Sequence, residues 1–277
     1  MIEKDEILNL LLAAVNASIR AGALIMEVYN SNDFQVNLKS DKTPLTLADR
    51  LAHDSIKNDL SKTFIPVLSE EGRNIVYEER KGWEYFWIVD PLDGTKEFIK
   101  RNGEFTVNIA LIQNKYPLLG VVYVPVTGEL YFSFTPEGAY KVSNLVATKE
   151  ARFTYSELVS IAKKIPFDND RKNVVTVESR SHTSEETLEY IECLKEKFND
   201  IESISRGSSL KMCMIAEGNA DIYPRLSLSS EWDTAAGQAI VEGAGYQVYT
   251  YETKERMAYN KEELLNPWFI VKGKVNL

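Results

Sequence analysis

The segment Trp87-Ile88-Val89-Asp90-Pro91-Leu92-Asp93-Gly94-Thr95 concentrates reactive groups: an apolar run enters a turn bearing two carboxylates, a glycine and a hydroxyl. Pro91 fixes φ and removes a backbone donor, and Gly94 permits a left-handed or closely approached backbone. Two carboxylates held together repel unless a cation lies between them. Hard cations take oxygen ligands and keep waters, so an acidic set without His fits Mg²⁺ better than zinc. Taken singly, the acids have plain alternatives. Asp90 to Thr95 can be an Asx-type turn, Asp49 a surface charge on a helix, and Glu70 and Glu71 solvated charges after the apolar run Phe64 to Leu68. Asp233 is the acid that a helix's first turn favours.

Spacing narrows the chemistry. A calcium loop beginning at Asp90 would need Glu at its twelfth position, where Arg101 stands. An aspartyl-nucleophile phosphatase would carry two Asp separated by one residue; Asp90 and Asp93 are separated by two, which weakens that alternative without removing it. No G-x-x-x-x-G-K-[ST] run occurs, and Gly243-Ala244-Gly245 continues to Val248 rather than Gly, so nucleotide-loop fingerprints are missing.

Asp90 to Thr95 resembles, at every position, the D-P-[LI]-D-G-T signature of the inositol monophosphatase superfamily of magnesium-dependent, lithium-sensitive phosphomonoesterases. Leu68-Ser69-Glu70-Glu71-Gly72 is similar to the family's paired-acid segment, and Pro44-Leu45-Thr46-Leu47-Ala48-Asp49 to its upstream acidic segment. Glu231-Trp232-Asp233-Thr234-Ala235-Ala236-Gly237 is similar to its distal helix start. The resemblance implies an α/β fold, the layered α/β/α/β/α sugar-phosphatase sandwich with two closely packed halves, and two or three Mg²⁺ per site. It assigns Glu70, Asp90 and the Leu92 carbonyl to one Mg²⁺, and Asp90, Asp93 and Asp233 to a second. It makes Thr95 and Asp49, with Glu70, the group that orients and deprotonates the attacking water.

Arg206-Gly207-Ser208-Ser209-Leu210-Lys211 opens a helix, and a Gly/Ser start offers free N–H groups to an anion. The plain alternative is a Ser N-cap. Lys211 in the first turn opposes the helix dipole, a small cost that a bound phosphate would reverse. This string, with Ala216-Glu217-Gly218 and Ala220-Asp221-Ile222-Tyr223-Pro224-Arg225, resembles the 3′(2′),5′-bisphosphate nucleotidase branch more than the inositol phosphatase branch. The resemblance implies hydrolysis of adenosine 3′,5′-bisphosphate to AMP and phosphate. Ser208, Lys211 and Arg225 would contact the remote phosphate or nucleoside, His182 would lie beside the adenosine, and Gly94, Gly207 and Ser209 would line the substrate site. An inositol or sugar monophosphatase on the same fold is the alternative, and a non-catalytic phosphate-ligand sensor a further one. The string does not separate adenosine 3′,5′-bisphosphate from its 5′-phosphosulfate analogue.

The elements that must position these groups follow from periodicity. Ile7 to Tyr29 carries apolar residues three or four apart, predicting a long opening helix, and Leu45 to Lys62 predicts a second. Phe64 to Leu68 and Glu84 to Val89 are short β-rich runs ending in acids, and Phe105 to Val142 predicts an antiparallel meander. Tyr123, Tyr131, Phe132 and Phe134 alternate there as sheet packing rather than as a base-stacking platform. Beyond residue 145 strands are expected at 173–177, 201–205, 220–223, 246–250 and 268–272, and helices at 184–198, 209–217 and 232–242, an alternating α/β half. Thr183-Ser184-Glu185-Glu186 predicts a capping box. The change of rhythm divides the chain into an N-terminal α+β half, 1–146, and a C-terminal α/β half, 147–277.

With 277 residues, 44% hydrophobic, the chain can bury a sizeable core. Its 32 Lys plus Arg against 41 Asp plus Glu leave a net charge of −9, which argues against a binder of nucleic-acid polymers; the expected partner is a small phosphorylated nucleotide. Cys193 and Cys213 make neither a disulfide framework nor a zinc set, Cys213 reading as an inert core thiol and His53 as structural. The N-terminus lacks a basic leader and no stretch reaches about 20 apolar residues, so a cytoplasmic protein is expected, with no visible anchor for peripheral attachment at the inner face of the cell membrane.

Overall fold

Apolar residues at helical spacing make α1 (Lys4–Asn30), whose Leu11, Ala14, Val15, Ile19 and Ile25 are fully buried. A computed structural model describes residues 2–31, 33–38, 43–134, 136–168, 170–181, 183–198 and 201–275; His182 lies outside the described residues. After α1 come a small ribbon of β1 (Asn37–Leu38) and β2 (Pro44–Leu45), then α2 (Leu47–Leu60) with a 3-10 turn at Ser61–Thr63. There follow β3 (Val67–Ser69), α3 (Tyr77–Arg80), β4 (Tyr85–Asp93), α4 (Thr95–Ile99), β5 (Thr106–Gln113), β6 (Tyr116–Val124), β7 (Glu129–Phe134), β8 (Gly138–Val142), α5 (Tyr155–Ile161) and β9 (Lys163–Ile165). The rest is β10 (Val174–Ser179), α6 (Glu185–Lys197), β11 (Ile201–Arg206), α7 (Leu210–Glu217), β12 (Ile222–Arg225), α8 (Glu231–Gly243), β13 (Gln247–Thr250) and β14 (Phe269–Lys272).

β3 to β9 form a seven-stranded sheet in sequence order, parallel between β3 and β4 and antiparallel elsewhere. The second sheet has five strands in the order β11-β10-β12-β14-β13. α1 and α2 cover one face of the first sheet, α7 and α8 lie between the two sheets, and α6 packs against β12 on the far side. The order of layers is therefore α/β/α/β/α, as expected. β5 shows why its sequence reads as a continuous apolar run: Val107, Ile109 and Leu111 face the α1 core, whereas Ala110 and Ile112 face the inter-sheet core. Tyr123, Tyr131, Phe132 and Phe134 are all buried in this packing, as is Cys213.

Several boundaries differ from the sequence expectations. Phe64 takes a left-handed conformation (φ 57°) that ends the 3-10 turn, so the strand expected from Phe64 starts only at Val67. β4 runs on through Asp90 to Asp93, beyond the expected end at Val89, with a break in its register against β5 between Asp90 and Asp93. The capping box predicted at Thr183 does not form. The Thr183 hydroxyl donates to the Ser179 carbonyl, and Ser184 caps α6 by accepting from the Thr187 N–H (3.2 Å). The first sheet also extends past residue 146, taking β9 as its last strand. α1, by length and composition, is long and apolar enough to cross a membrane, unlike the expectation for any stretch of this chain; its apolar face is buried against α2 and the first sheet.

Candidate active site

Residues from Thr43 to Phe269 line one cleft of about 480 Å³. β4 delivers Asp90, Leu92 and Asp93 to it, the start of α4 delivers Gly94 and Thr95, and the loop after β3 delivers Glu70. Gly207, Ser208, Ser209 and Lys211 come from the start of α7, Arg225 from the end of β12, and Asp233 from the first turn of α8. Asp49, on α2, joins the cleft through Thr95, whose hydroxyl donates to Asp49 Oδ1 at 3.1 Å. Every site residue predicted from the sequence among the described residues is thus brought to one place.

Two of the acids arrive by the same local device. Thr46 and Ser230 are N-caps, and the acid three residues on, Asp49 or Asp233, accepts the cap's backbone N–H, at 2.6 and 2.8 Å respectively. The cap fixes one carboxylate oxygen on each helix. The start of α8 is held further by Asn266, whose amide donates to the Ser230 carbonyl (2.6 Å) and to Thr234 Oγ1 (3.0 Å). Fully buried Glu231 accepts the N–H groups of Asn260 and Lys261.

Asp90 accepts the Leu92 N–H at 3.1 Å, and Asp93 accepts from Asn108 Nδ2 (3.2 Å) and Ser209 Oγ (3.1 Å). Sequence reasoning did not find Asn108. Its signal is an amide inside the apolar run of β5, where an unsatisfied polar group would be costly. Ser209 does not cap α7: its hydroxyl lies between Asp93 and the Asp233 carbonyl (2.9 Å) and receives Asn108 (2.9 Å).

The electrostatics are those of crowded carboxylates. Burial, then Glu70, Asp93 and Asp233, push the Asp90 carboxyl well above its usual range. Burial and Asp93 push Asp233 up to about 7. Asp93 is raised by burial, against the pull of Lys211. Four acids and a carbonyl make an all-oxygen donor set, each aspartate anchored by a protein donor, which suits a hard divalent cation. No three acidic side chains among the described residues close around one point, so the acids do not form a finished cage. Mg²⁺ in particular keeps several waters and is bound through few carboxylates.

The cleft also carries cations. Lys211 is buried, sits over the Tyr223 ring (5.4 Å), donates to the Ser208 carbonyl (2.6 Å), and is pushed down to about 8 mainly by burial. Ser208 adopts a left-handed φ of 47°, and its buried hydroxyl has no partner among the described residues. Arg225 donates to the Leu228 carbonyl at 2.7 Å. His53 is not among the residues lining this cleft: its Nδ1 shares a hydrogen bond with the Ser69 hydroxyl (2.9 Å) at the end of β3.

Two glycines press on one carbonyl. Gly94 has φ 94°, and a Cβ there would sit 3.0 Å from the Glu104 carbonyl oxygen; a Cβ on Gly207 would sit 2.9 Å from the same atom and 2.8 Å from Glu97 Cγ. Gly207→Ala is therefore expected to cost about 1–3 kcal/mol by overpacking and to raise KM as the 206–208 loop is displaced. Thermal denaturation with steady-state kinetics checks it, and an unchanged melting temperature and KM would contradict the crowding.

The inositol monophosphatase family model matches residues 6–274. The chain belongs to the inositol monophosphatase family. It is 43% identical over 254 residues to a Salmonella typhimurium protein named 3′(2′),5′-bisphosphate nucleotidase CysQ, covering 91% of this chain and 94% of that one. The protein of the same name from Escherichia coli K12 is 42% identical over the same length. The crystal structure of CysQ from Bacteroides thetaiotaomicron, described as a bacterial member of the family, superposes with a TM-score of 0.90 at 49% identity, covering 97% of this chain and 98% of that one. Family membership accounts for the layered fold and for the segments around Asp49, Glu70, Asp90 and Asp233 that the sequence singled out.

Proposed function

We propose that this family member is a Mg²⁺-dependent 3′(2′),5′-bisphosphate nucleotidase that hydrolyses adenosine 3′,5′-bisphosphate to AMP and phosphate. The observation that carries the reading is a set of crowded, oxygen-only acids in one cleft with the buried cation Lys211 and with Arg225. The similarity to CysQ proteins over nine-tenths of the chain supports the same substrate class.

Glu70, Asp90, the Leu92 carbonyl, Asp93 and Asp233 would hold two or three Mg²⁺. Bound Mg²⁺ supplies phosphoryl polarisation and a water acidified toward neutrality. Asn108 and Ser209 keep Asp93 oriented. Thr95 accepts a hydrogen bond from the attacking water and relays its proton toward Asp49, the acceptor of the Thr95 hydroxyl. The water oxygen forms its bond to phosphorus as the ester P–O bond breaks in line, and the leaving 3′-oxygen takes a proton from solvent water, whose hydroxide is neutralised by the proton released through Asp49. Ser208, Lys211 and Arg225 bind the remaining phosphate, so the burial that weakens Lys211 as a cation is offset when an anion arrives.

The test is phosphate release from adenosine 3′,5′-bisphosphate and inositol 1-phosphate, with and without Mg²⁺. The expected result is strong preference for the nucleotide, lost without Mg²⁺. Lys211→Met is expected to raise KM for the bisphosphate about ten- to hundredfold, the loss of one charged hydrogen bond, with a much smaller change for inositol 1-phosphate. Preference for inositol 1-phosphate in the native enzyme would leave the acidic floor and overturn the substrate.

A further inference from the structure

Glu97 stands apart from the acids of the floor. It is only 4% exposed yet lines the cleft beside Ser179, Gly207 and Ser208, and it is not among the acids that press on Asp90. Its Oε1 accepts the Ser181 hydroxyl at 2.5 Å, and its Cγ lies where a side chain on Gly207 would be. The neighbouring cations Lys211 and Arg180 feel the Glu97 charge, but their own bonds go to other groups. Arg180 makes its ion pair with Glu104 (2.7 and 2.8 Å), and Lys211 donates to the Ser208 carbonyl.

A carboxylate on the wall of a phosphate-binding cleft repels both phosphates of the substrate, so the part of the substrate that suits it is a neutral donor. It also lacks a place in the acidic floor, where a cation would neutralise it. The neutral part of a nucleoside bisphosphate offers two such donors: a ribose hydroxyl and the exocyclic amine of adenine. We infer that Glu97, held by Ser181 and the Gly207 loop, is a specificity residue that accepts a hydrogen bond from an O–H or N–H donor on the nucleoside of the substrate. This rests on the nucleotidase reading above. A carboxylate acceptor favours an amine over a carbonyl at the same position, because the carbonyl brings a second acceptor against it.

The experiment compares kcat/KM for adenosine 3′,5′-bisphosphate, its 2′-deoxy analogue and inosine 3′,5′-bisphosphate in the native enzyme and in Glu97→Gln. The amide keeps the shape of the side chain and a partner for Ser181, and thermal denaturation verifies that the variant folds. If adenine is the donor, the native enzyme disfavours inosine about ten- to hundredfold. Glu97→Gln then erases or reverses that ratio, since its NH₂ can donate to the inosine carbonyl. If the ribose is the donor, the 2′-deoxy analogue is disfavoured instead, and the ratio collapses in the variant. A ratio that Glu97→Gln leaves untouched, with all three substrates slowed alike, overturns the proposal and makes Glu97 a clamp for the loop. A native enzyme that hydrolyses none of the three overturns the nucleotidase reading itself, and the proposal with it.

Discussion

Asp90→Asn is expected to lower kcat by more than about a thousandfold at saturating Mg²⁺ while raising the melting temperature of the metal-free protein. Opposite signs for activity and stability follow from one local fact. Asp90 is buried, and Glu70, Asp93 and Asp233 all act on its carboxyl in the same sense. Without a cation, an ionised Asp90 adds charge to a site that already carries too much of it, and the neutral amide removes that repulsion. A relief of about 1–2 kcal/mol corresponds to roughly 2–6 °C for a chain of this size. With Mg²⁺ the balance inverts, because the native protein gains stability by binding a ligand that the variant holds poorly. The pair of measurements is phosphate release in Mg²⁺ and thermal denaturation in EDTA. Turnover within tenfold of the native enzyme would remove Asp90 from the metal site, and a lower melting temperature in EDTA would deny the crowding.

The same crowding sets a pH dependence. Asp233 is pushed from the ordinary 3.8 to about 7, so between those values the folded metal-free protein holds a proton that the unfolded chain has released. A raised carboxyl costs stability once it ionises. The metal-free protein is therefore expected to lose stability as pH rises through about 4 to 7, and to gain it on acidification within that window. Flat stability across the window, measured in EDTA, would contradict the raised Asp233.

How much of this was legible in the sequence depends on how local each feature is. Asp90 to Thr95 is one unbroken string on one strand and turn, so its chemistry could be read directly from residue types. The long periodic helix α1 and the β5 to β8 meander were legible for the same reason. Asp233, read singly, is an ordinary first-turn acid and does close a capping box, whereas Asp49, read singly as a surface charge, is buried and closes another. What periodicity does not contain is that the two boxes open onto one cleft; only the resemblance supplied it. Ser209 looked like an N-cap because N-caps are local, but its hydroxyl goes to Asp93 and to the Asp233 carbonyl. Asn108, Glu97 and Glu104 owe their parts to partners brought close by the packing of the two sheets. The misplaced cap at Thr183 failed by a single residue, because the Ser179 carbonyl, four residues back at the end of β10, took the hydroxyl that the capping rule assigned to the helix.

Thr95→Val is expected to lower kcat by about 10²- to 10⁴-fold with little change in KM, the range of a lost general base. Asp49 explains why the loss should be so large for a hydroxyl. One of its oxygens is occupied by the Thr46 N–H and hydroxyl, and the other accepts from Thr95 Oγ1. The carboxylate is 1% exposed, and burial raises it while the Thr46 and Thr95 bonds hold it back. It therefore reaches the cleft only through Thr95, whose single proton can go to Asp49 at 3.1 Å or to the Leu92 carbonyl at 3.4 Å. A hydroxyl whose proton points to Asp49 presents its lone pairs to a water, and valine presents none. Thr95→Ser should retain most of the activity. Asp49→Asn should match Thr95→Val, and the double variant should be no slower than the slower single one, as for residues that act as a unit. Thr46→Val separates the helix cap from the chemistry: it should cost about 1 kcal/mol of stability and far less turnover, because the Thr95 to Asp49 bond survives it. Losses for Thr95→Val and Asp49→Asn that multiply in the double variant would mean two independent contributions, and the relay from water through Thr95 to Asp49 would then be wrong.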